Sequence, residues 1–388
     1  MTATPSNSPG PADSAADVVV HVVGRTDVGR TREHNEDAFA VADLTAMRNP
    51  ESEPLEHIFH DDGERVIAGG ALFMVADGMG GAAAGEIASS MAVDVIVREL
   101  AERWRKMEQC DGETFAVALR AATSEANARI HEFATQHPEY RGMGTTATVA
   151  ALLGDTLFLA QVGDSRAYIV RDGVARQITK DQSLMQKLIE AGEITAEEAE
   201  VSDRRNIILQ ALGPEAFVKV DLTHQRVRRG DTLILCSDGL SGQVRGDEIA
   251  RAVADEPDLE RLCQRLIDSA NASGGPDNIT VVAARFDGVG LEVAGSDDEV
   301  GHRVFPMGTD DTPVLPVERY VRRSMPSPAA RRAQGSADDS PGGGGGRPSP
   351  ADGELALPIR RAVPLPWMIA LLVVLAVALA YTLFQLRA

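Results

Sequence analysis

Two short apolar runs that each end in an Asp-Gly pair constrain this chain more than any other feature. The run at residues 72–75 is followed closely by Asp77-Gly78, and the run ending at Cys236 by Asp238-Gly239. A carboxylate at the end of a buried strand is costly to bury unless something pairs with it. A glycine directly after the acid lets the backbone bend close to a ligand. We therefore predict that these acids converge on one cluster of hard cations.

Further acids lie at predicted strand ends or beside glycine turns, and they extend this set. They are Glu36, Asp37, Asp164 and Asp277. Their surroundings lack the His-x-x-x-His and Cys-x-x-Cys spacings of a zinc site, and an oxygen-only ligand set favours magnesium, manganese or calcium. If Asp77 bridges two such cations, they can activate a shared water for in-line attack on phosphorus. Taken singly, each acid is more often a turn or capping residue than a ligand.

A bidentate cation for a phosphoryl substrate stands next to the acidic pair. Arg32 lies three residues before Asn35, and its planar guanidinium matches two phosphate oxygens. The alternative for Arg32 alone is a surface ion pair. The formal net charge of −20 over 388 residues argues against a nucleic-acid partner, because phosphate backbones select basic surfaces.

Composition divides the chain into five segments. We predict a disordered leader at 1–17, a catalytic domain at 18–287, a flexible linker at 288–365, a transmembrane helix at 366–386 and a short tail at 387–388. The leader lacks the basic start and apolar centre of a signal peptide. Cys110, Cys236 and Cys263 are odd in number and far apart, which indicates no disulfide framework and fits a reducing cytoplasm.

The predicted membrane helix sets the orientation. Trp367 to Leu386 carries no charge, Arg360 and Arg361 precede it, and only Arg387 follows it. This asymmetry favours a cytoplasmic N-terminal side. We therefore expect a single-pass protein of the cell membrane with its large domain in the cytoplasm.

Local patterns predict a mixed α and β domain. Apolar residues recur with helical spacing over 84–107, 113–134, 247–254 and 259–270, and short apolar runs joined by glycine turns predict an antiparallel meander over 147–170. The segment 181–213 changes to charged and helical character, and we predict a mobile flap there.

Six motifs in order resemble those of the metal-dependent, type 2C serine/threonine protein phosphatases of bacterial type. They are Arg32-x-x-Asn35-Glu36-Asp37, Ala76-Asp77-Gly78-Met79-Gly80-Gly81, Gly144-Thr145-Thr146, Gly163-Asp164-Ser165-Arg166, Ser237-Asp238-Gly239 and Gly275-Pro276-Asp277-Asn278. The resemblance covers residues 22–287. It implies an α+β fold, a four-layer α/β/β/α sandwich of two antiparallel sheets flanked by helices, to which the C-terminal transmembrane helix is added.

The resemblance also implies a role for each site residue. By this resemblance, Asp77 bridges two magnesium or manganese ions, and the Gly78 carbonyl and the carboxylates of Asp238 and Asp277 bind metal directly. Glu36 and Asp37 hold the second ion partly through waters, and Asp164 with Asp238 matches the position of a third ion. Arg32 binds phosphate, and Asn278 supports Asp277 or a coordinated water. The segment Gly144-Thr145-Thr146 shapes the backbone beneath the site.

Two positions depart from the family pattern. Met79 stands where many members carry a histidine that can protonate the leaving group, and methionine has no proton to donate. Gln182 likewise stands where members often carry histidine. His34 is a candidate substitute acid, although a solvent-facing loop histidine is the simpler interpretation.

The resemblance implies hydrolysis of phosphoserine and phosphothreonine on proteins, in one step, by a metal-bound hydroxide. A membrane serine/threonine kinase and its phosphorylated substrates are the expected partners. The alternative is an inactive scaffold of the same fold that binds phosphorylated proteins. A third hypothesis is a phosphatase for one dedicated signalling partner.

Overall fold

A computed structural model describes residues 18–49, 54–108, 111–295 and 298–306 of the chain. The predicted leader, most of the predicted linker, the predicted membrane helix at 366–386 and the tail lie outside these residues. Within them, no helix combines the length and the apolar character needed to cross a membrane.

The described residues form thirteen strands. They are β1 (Val19–Asp27), β2 (Asp37–Asp43), β3 (Ile58–Phe59), β4 (Arg65–Ala68), β5 (Ala71–Met79), β6 (Gly144–Thr145), β7 (Ala147–Leu153), β8 (Thr156–Val162), β9 (Arg166–Arg171), β10 (Val174–Gln177), β11 (Asp221–Arg226), β12 (Thr232–Cys236) and β13 (Ile279–Asp287). One sheet has the order β10-β9-β12-β13-β1-β4 and the other the order β11-β8-β7-β5-β2-β3, with β6 paired to β5. The pairings between these strands are antiparallel.

Helices cover the outer faces of the sheets and connect the strands. They are α1 (Leu44–Met47), α2 (Ala82–Lys106), α3 (Gly112–Gln136), α4 (Leu184–Glu190), α5 (Ala196–Glu200), α6 (Asp238–Ser241), α7 (Gly246–Asp255) and α8 (Leu259–Ala272), with short 3-10 turns at Pro54–His57 and Pro138–Tyr140. The two long helices predicted at 84–107 and 113–134 are α2 and α3. A side-chain cap from Asp111 to the backbone N–H of Thr114, at 2.8 Å, starts α3.

Three separate groups of buried apolar residues show that the fold has four layers. The first fills the space between α2, α3 and the β5 sheet, the second lies between the two sheets, and the third lies between the β12 sheet and helices α7 and α8. The position of strand β5 between two layers of the core explains why its sequence is apolar without alternation. Leu72 and Met74 belong to the first group, whereas Phe73 and Val75 belong to the second, so both faces of the strand are buried. The predicted sandwich of two antiparallel sheets flanked by helices is confirmed.

The predicted linker begins too early at 288, because the chain after β13 still packs on the domain. Leu291 is buried in the core between the sheets. The Asp298 carboxylate accepts two bonds from the Arg228 guanidinium, both at 2.7 Å. The Phe305 N–H donates to the Leu222 carbonyl at 2.9 Å and thereby covers β11, which is an edge strand.

Candidate metal centre

The β2–β5 pairing places the first two predicted acids side by side. Asp37, the first residue of β2, is opposite Asp77 in the antiparallel register. The Gly78 N–H donates to the Glu36 carbonyl at 3.1 Å. A Cβ at Gly78 would overlap the carbonyl oxygens of Glu36 and Gly85, so only glycine permits this approach. The Asp-Gly pair therefore reflects tight packing of backbone around the acid.

The threonines of the Gly144-Thr145-Thr146 motif fix the backbone of Asp77. The Thr145 hydroxyl and the Thr146 N–H both donate to the Asp77 carbonyl at 2.9 Å. The Asp77 N–H donates to the Thr146 hydroxyl at 3.0 Å. The motif thus supports the site from beneath, as the sequence suggests, and it leaves the carboxylate free to face the cluster.

The other sheet contributes Asp238 and Asp277. Asp238 follows β12 and begins α6, and Asp277 lies two residues before β13. A Cβ at Gly239 would overlap the Asn278 carbonyl oxygen, so glycine allows these two strand ends to meet. Besides burial, the charge of Asp238 acts on Asp77 across the two sheets and raises the pKa of Asp77.

Two further acids complete what we call the strand-end cluster, which comprises Glu36, Asp37, Asp77, Asp164, Asp238 and Asp277. Asp164 follows β8 and is buried, and its Oδ1 has no hydrogen-bond partner among the described residues. Glu36 is also buried, directly before β2. The structure therefore brings all six predicted acids to one end of the sandwich.

Asn278 makes one of its two predicted contacts, because its backbone N–H donates to Asp277 Oδ1 at 2.9 Å. Its Oδ1 accepts the Glu36 N–H at 2.8 Å, and its Nδ2 donates to the carbonyls of Val28 and His34 at 3.0 and 2.9 Å. Both amide protons are used on backbone, so the side chain has none left for a coordinated water. Asn278 instead holds the loop that carries Arg32 and Glu36 against the start of β13.

Arg32 lies at the solvent side of the cluster. Its Nη2 is 2.8 Å from Asp277 Oδ2, and 47% of the side chain is exposed. The negative charge of Asp277, followed by those of Glu36 and Asp77, raises the pKa of Arg32 against the opposing effect of its burial. The guanidinium is therefore charged, anchored at one side and open to an anion from solvent.

Burial, reinforced by mutual repulsion, dominates the electrostatics of the strand-end cluster. Burial, reinforced by the charges of Asp37 and Asp238, raises the pKa of Asp77 well above its ordinary value. Burial raises the pKa of Asp37 to about 7, against the opposing hydroxyl bonds of Ser237 and Thr280. Burial and the charge of Asp238 raise the pKa of Asp164 to about 8. Such acids either share protons or neutralise cations.

The chemistry of this donor set fits divalent cations. The buried Asp164 Oδ1, which has no hydrogen-bond partner among the described residues, is the kind of oxygen donor that a hard cation requires. Within the described ranges, no group of three or more His, Cys, Asp or Glu side chains is already arranged around one point. Magnesium-type sites do not need such a group, because these ions keep several waters and use one or two carboxylates each.

Sequence reasoning missed two hydroxyl residues that contact the cluster. Ser237 and Thr280 both donate to Asp37 Oδ2 at 2.7 Å. Ser237 stands inside a quoted motif and Thr280 lies two residues beyond another, so only their adjacency to predicted ligands could have singled them out.

The structure shows the surroundings of Met79 and Gln182, the two departures from the family pattern, and of the candidate acid His34. Met79 pairs with Gly144 at the end of β5, and His34 is exposed. Gln182 is buried, accepts the Gly163 N–H at 2.9 Å and donates to Asp221 Oδ2 at 3.0 Å. Gln182 therefore holds the turn that carries Asp164.

A two-sheet sandwich with an acidic, arginine-flanked centre at one end defines a metal-dependent phosphatase. Residues 59–281 match the family model described as protein phosphatase 2C. The chain belongs to the protein phosphatase 2C family.

Individual relatives agree with this assignment. The serine/threonine phosphatase stp of Listeria monocytogenes is 36% identical over 269 residues, which are 69% of this chain and 96% of that protein. The crystal structure of the serine/threonine phosphatase PstP/Ppp of Mycobacterium tuberculosis matches with a TM-score of 0.57 and 35% identity, over 71% of this chain and 99% of that chain. The catalytic domain of PstP in complex with two manganese ions matches with a TM-score of 0.55 and 35% identity, over 70% and 99% of the two chains.

Proposed function

We propose that this protein is a magnesium- or manganese-dependent serine/threonine phosphatase that hydrolyses phosphoserine and phosphothreonine on other proteins. The observation that carries the proposal is the strand-end cluster, whose carboxylates repel one another while Arg32 stands at their open side. Relatives named serine/threonine phosphatase and a PstP structure with two manganese ions support it.

Within this proposal, each acid has a role toward the cations. Asp77, the Gly78 carbonyl, Asp238 and Asp277 would hold magnesium or manganese. Glu36 and Asp37 would hold a second ion, and Asp164 with Asp238 would hold a third. When bound, such cations lower the pKa of a coordinated water and neutralise charge on a phosphoryl group.

The chain's own contribution to the reaction begins with Arg32. Its fork of N–H donors binds two phosphate oxygens and stabilises the charge that spreads over them during transfer. The bond from Nη2 to Asp277 Oδ2 holds the guanidinium beside the acids before substrate arrives. Because the aligned groups are fixed in advance, little reorganisation is needed in the transition state.

The same proposal includes a membrane tether. The uncharged stretch at 366–386, which lies outside the described residues, and the preceding Arg360 and Arg361 support a single-pass protein with a cytoplasmic catalytic domain. A tether raises the effective concentration of substrates at the same membrane. A membrane serine/threonine kinase and the proteins that it phosphorylates are the natural partners.

The test is phosphate release from a phosphothreonine peptide by the full-length chain in detergent, with manganese, with magnesium and with a chelator. We expect metal-dependent release. Arg32→Ala is expected to lower kcat/KM by about 10²-fold, and Arg32→Lys to recover little, because a point charge lacks the bidentate geometry. Binding of metal and phosphopeptide without any release would instead support the phosphoprotein-binding scaffold.

A further inference from the structure

The half-buried Asp37 carboxylate is tied by one oxygen to two strand ends of the opposite sheet. Ser237, between β12 and Asp238, donates its hydroxyl to Asp37 Oδ2 at 2.7 Å. Thr280, in β13 close to Asp277, donates to the same oxygen at 2.7 Å. The two bonds join β2 of one sheet to β12 and β13 of the other, at the segments that carry the predicted ligands.

The direction of these bonds is fixed by the proton count of each hydroxyl. Ser237 Oγ accepts the Thr280 N–H at 3.0 Å, so its single proton is available for Asp37. Thr26 Oγ1 accepts from Asn35 Nδ2 at 2.8 Å and lies 2.7 Å from Thr280 Oγ1. Because the Thr280 hydroxyl gives its one proton to the Asp37 carboxylate, which only accepts, the Thr26 hydroxyl donates to Thr280.

Both donated protons reach Oδ2, so a cation or its water must use Oδ1. The Asp37 N–H donates to Asn35 Oδ1 at 3.1 Å and closes the network onto the loop that begins β2. A carboxylate held in this way cannot rotate to present its other oxygen without breaking two short bonds. Hydrogen bonds that orient a ligand in this manner tune the affinity of metal sites.

We propose that Ser237 and Thr280 are positioning residues that hold Asp37 with Oδ1 toward the metal centre and thereby set the affinity of the cluster for divalent cations. The proposal rests on the metal centre of the proposed function. Neither hydroxyl contacts substrate in this proposal, so removal of a hydroxyl changes the affinity for cations.

Calorimetric titration of the full-length chain with Mn²⁺, without substrate, tests the proposal. Thr280→Val keeps the shape of the side chain and removes the hydroxyl, and we expect the Mn²⁺ dissociation constant to rise by about 10- to 100-fold. Thr280→Ser restores the hydroxyl and is expected to bind Mn²⁺ as the wild type does. Ser237→Ala is an independent second variant with the same expected direction.

Thr123→Val is the matched control. Thr123 is fully buried in α3, and its hydroxyl donates only to the Leu119 carbonyl at 2.9 Å, among the bonds of the described residues. It should lose stability without a change in Mn²⁺ affinity, and thermal unfolding verifies that each variant is folded.

Wild-type affinity in folded Thr280→Val and Ser237→Ala would overturn the positioning role alone, as would a Thr280→Ser variant as weak as Thr280→Val. If the wild-type chain binds no Mn²⁺, the metal centre itself is wrong and the positioning role falls with it. The wild-type titration therefore separates the two failures.

Discussion

Two groups of acids in this domain, each with buried members, differ in the charges that surround their carboxylates. In the strand-end cluster, the carboxylates face one another and their pKa values rise, as burial and neighbouring charges dictate for Asp77 and Asp164. At the β11 side, Asp231 is 2% exposed and accepts two bonds from Arg171 at 2.8 and 2.6 Å. The bonds from Arg228 hold the pKa of Asp298 well below its ordinary value.

The charges that surround a carboxylate separate structural from functional acids in this fold. A guanidinium that meets a buried carboxylate satisfies it within the protein, and removal of one partner leaves a buried charge unpaired. Carboxylates that are buried close to one another, with too few cations to neutralise them, cost stability unless a bound metal ion supplies the missing charge. The arginine-paired acids therefore stabilise the domain, whereas the strand-end cluster is where we propose that the cations bind.

The largest effect is expected for Asp77→Asn. Loss of the bridging carboxylate should lower kcat/KM for a phosphothreonine peptide by about 10³-fold or more. This is at or above the largest typical rate loss on removal of one oxyanion-stabilising donor. The metal-free variant should also unfold at a higher temperature than the metal-free wild type, because one repelling charge is gone. Retention of more than a tenth of the activity would contradict the bridging role.

Asp231→Asn should show the reverse pattern. It leaves Arg171 without its counter-charge, with only 8% of that side chain exposed. Breaking such a buried pair costs about 3–5 kcal/mol of unfolding free energy, which urea unfolding measures. Turnover per folded molecule should stay at the wild-type level, and a selective loss of turnover would break the proposed division between the two groups.

The stability of the metal-free protein should fall as pH rises from about 5 to 8. The ordinary pKa is 3.8, and the folded protein raises that of Asp37 to about 7 and that of Asp164 to about 8. The folded state therefore binds more protons than the unfolded state across this window, so raising the pH favours unfolding. Each 1 kcal/mol lost lowers Tm by about 2–4 °C in a domain of this size.

Manganese supplies the control for this pH profile. It binds the ionised cluster, so saturating Mn²⁺ should raise Tm more at pH 8 than at pH 5. A metal-free Tm that increases steadily over the same range would show that the cluster acids are already ionised in the folded protein.

The smallest effect is expected at an exposed ion pair. Asp247 contacts Arg251 at 2.6 Å one turn along α7, with 69% and 67% of the two side chains exposed. Asp247→Asn should change the unfolding free energy by about 0.3–0.5 kcal/mol, because solvent and salt screen such pairs. A cost close to that of Asp231→Asn would mean that burial is not what distinguishes the paired acids.

The sequence predicted those strands, helices and close backbone contacts that depend on a local residue pattern. Apolar runs that end in acids marked β5 and β12, helical spacing marked α2 and α3, and glycine after Asp77 marked a close backbone approach. These features succeed because burial and backbone geometry impose residue types at short range.

The contacts that escaped prediction join residues far apart in the chain. The bond from Ser237 to Asp37 spans 200 residues, and that from Thr280 spans 243. The packing of Leu291 between the sheets and the bonds from Arg228 to Asp298 likewise join segments that meet only in the assembled fold.

The most direct test of the account is anomalous diffraction at the manganese edge from crystals grown with Mn²⁺. We predict anomalous peaks in coordination contact with Asp77 and Asp238, within the strand-end cluster. Crystals that diffract well and hold no manganese there at saturating Mn²⁺, or hold it at the arginine-paired Asp231 instead, would contradict it.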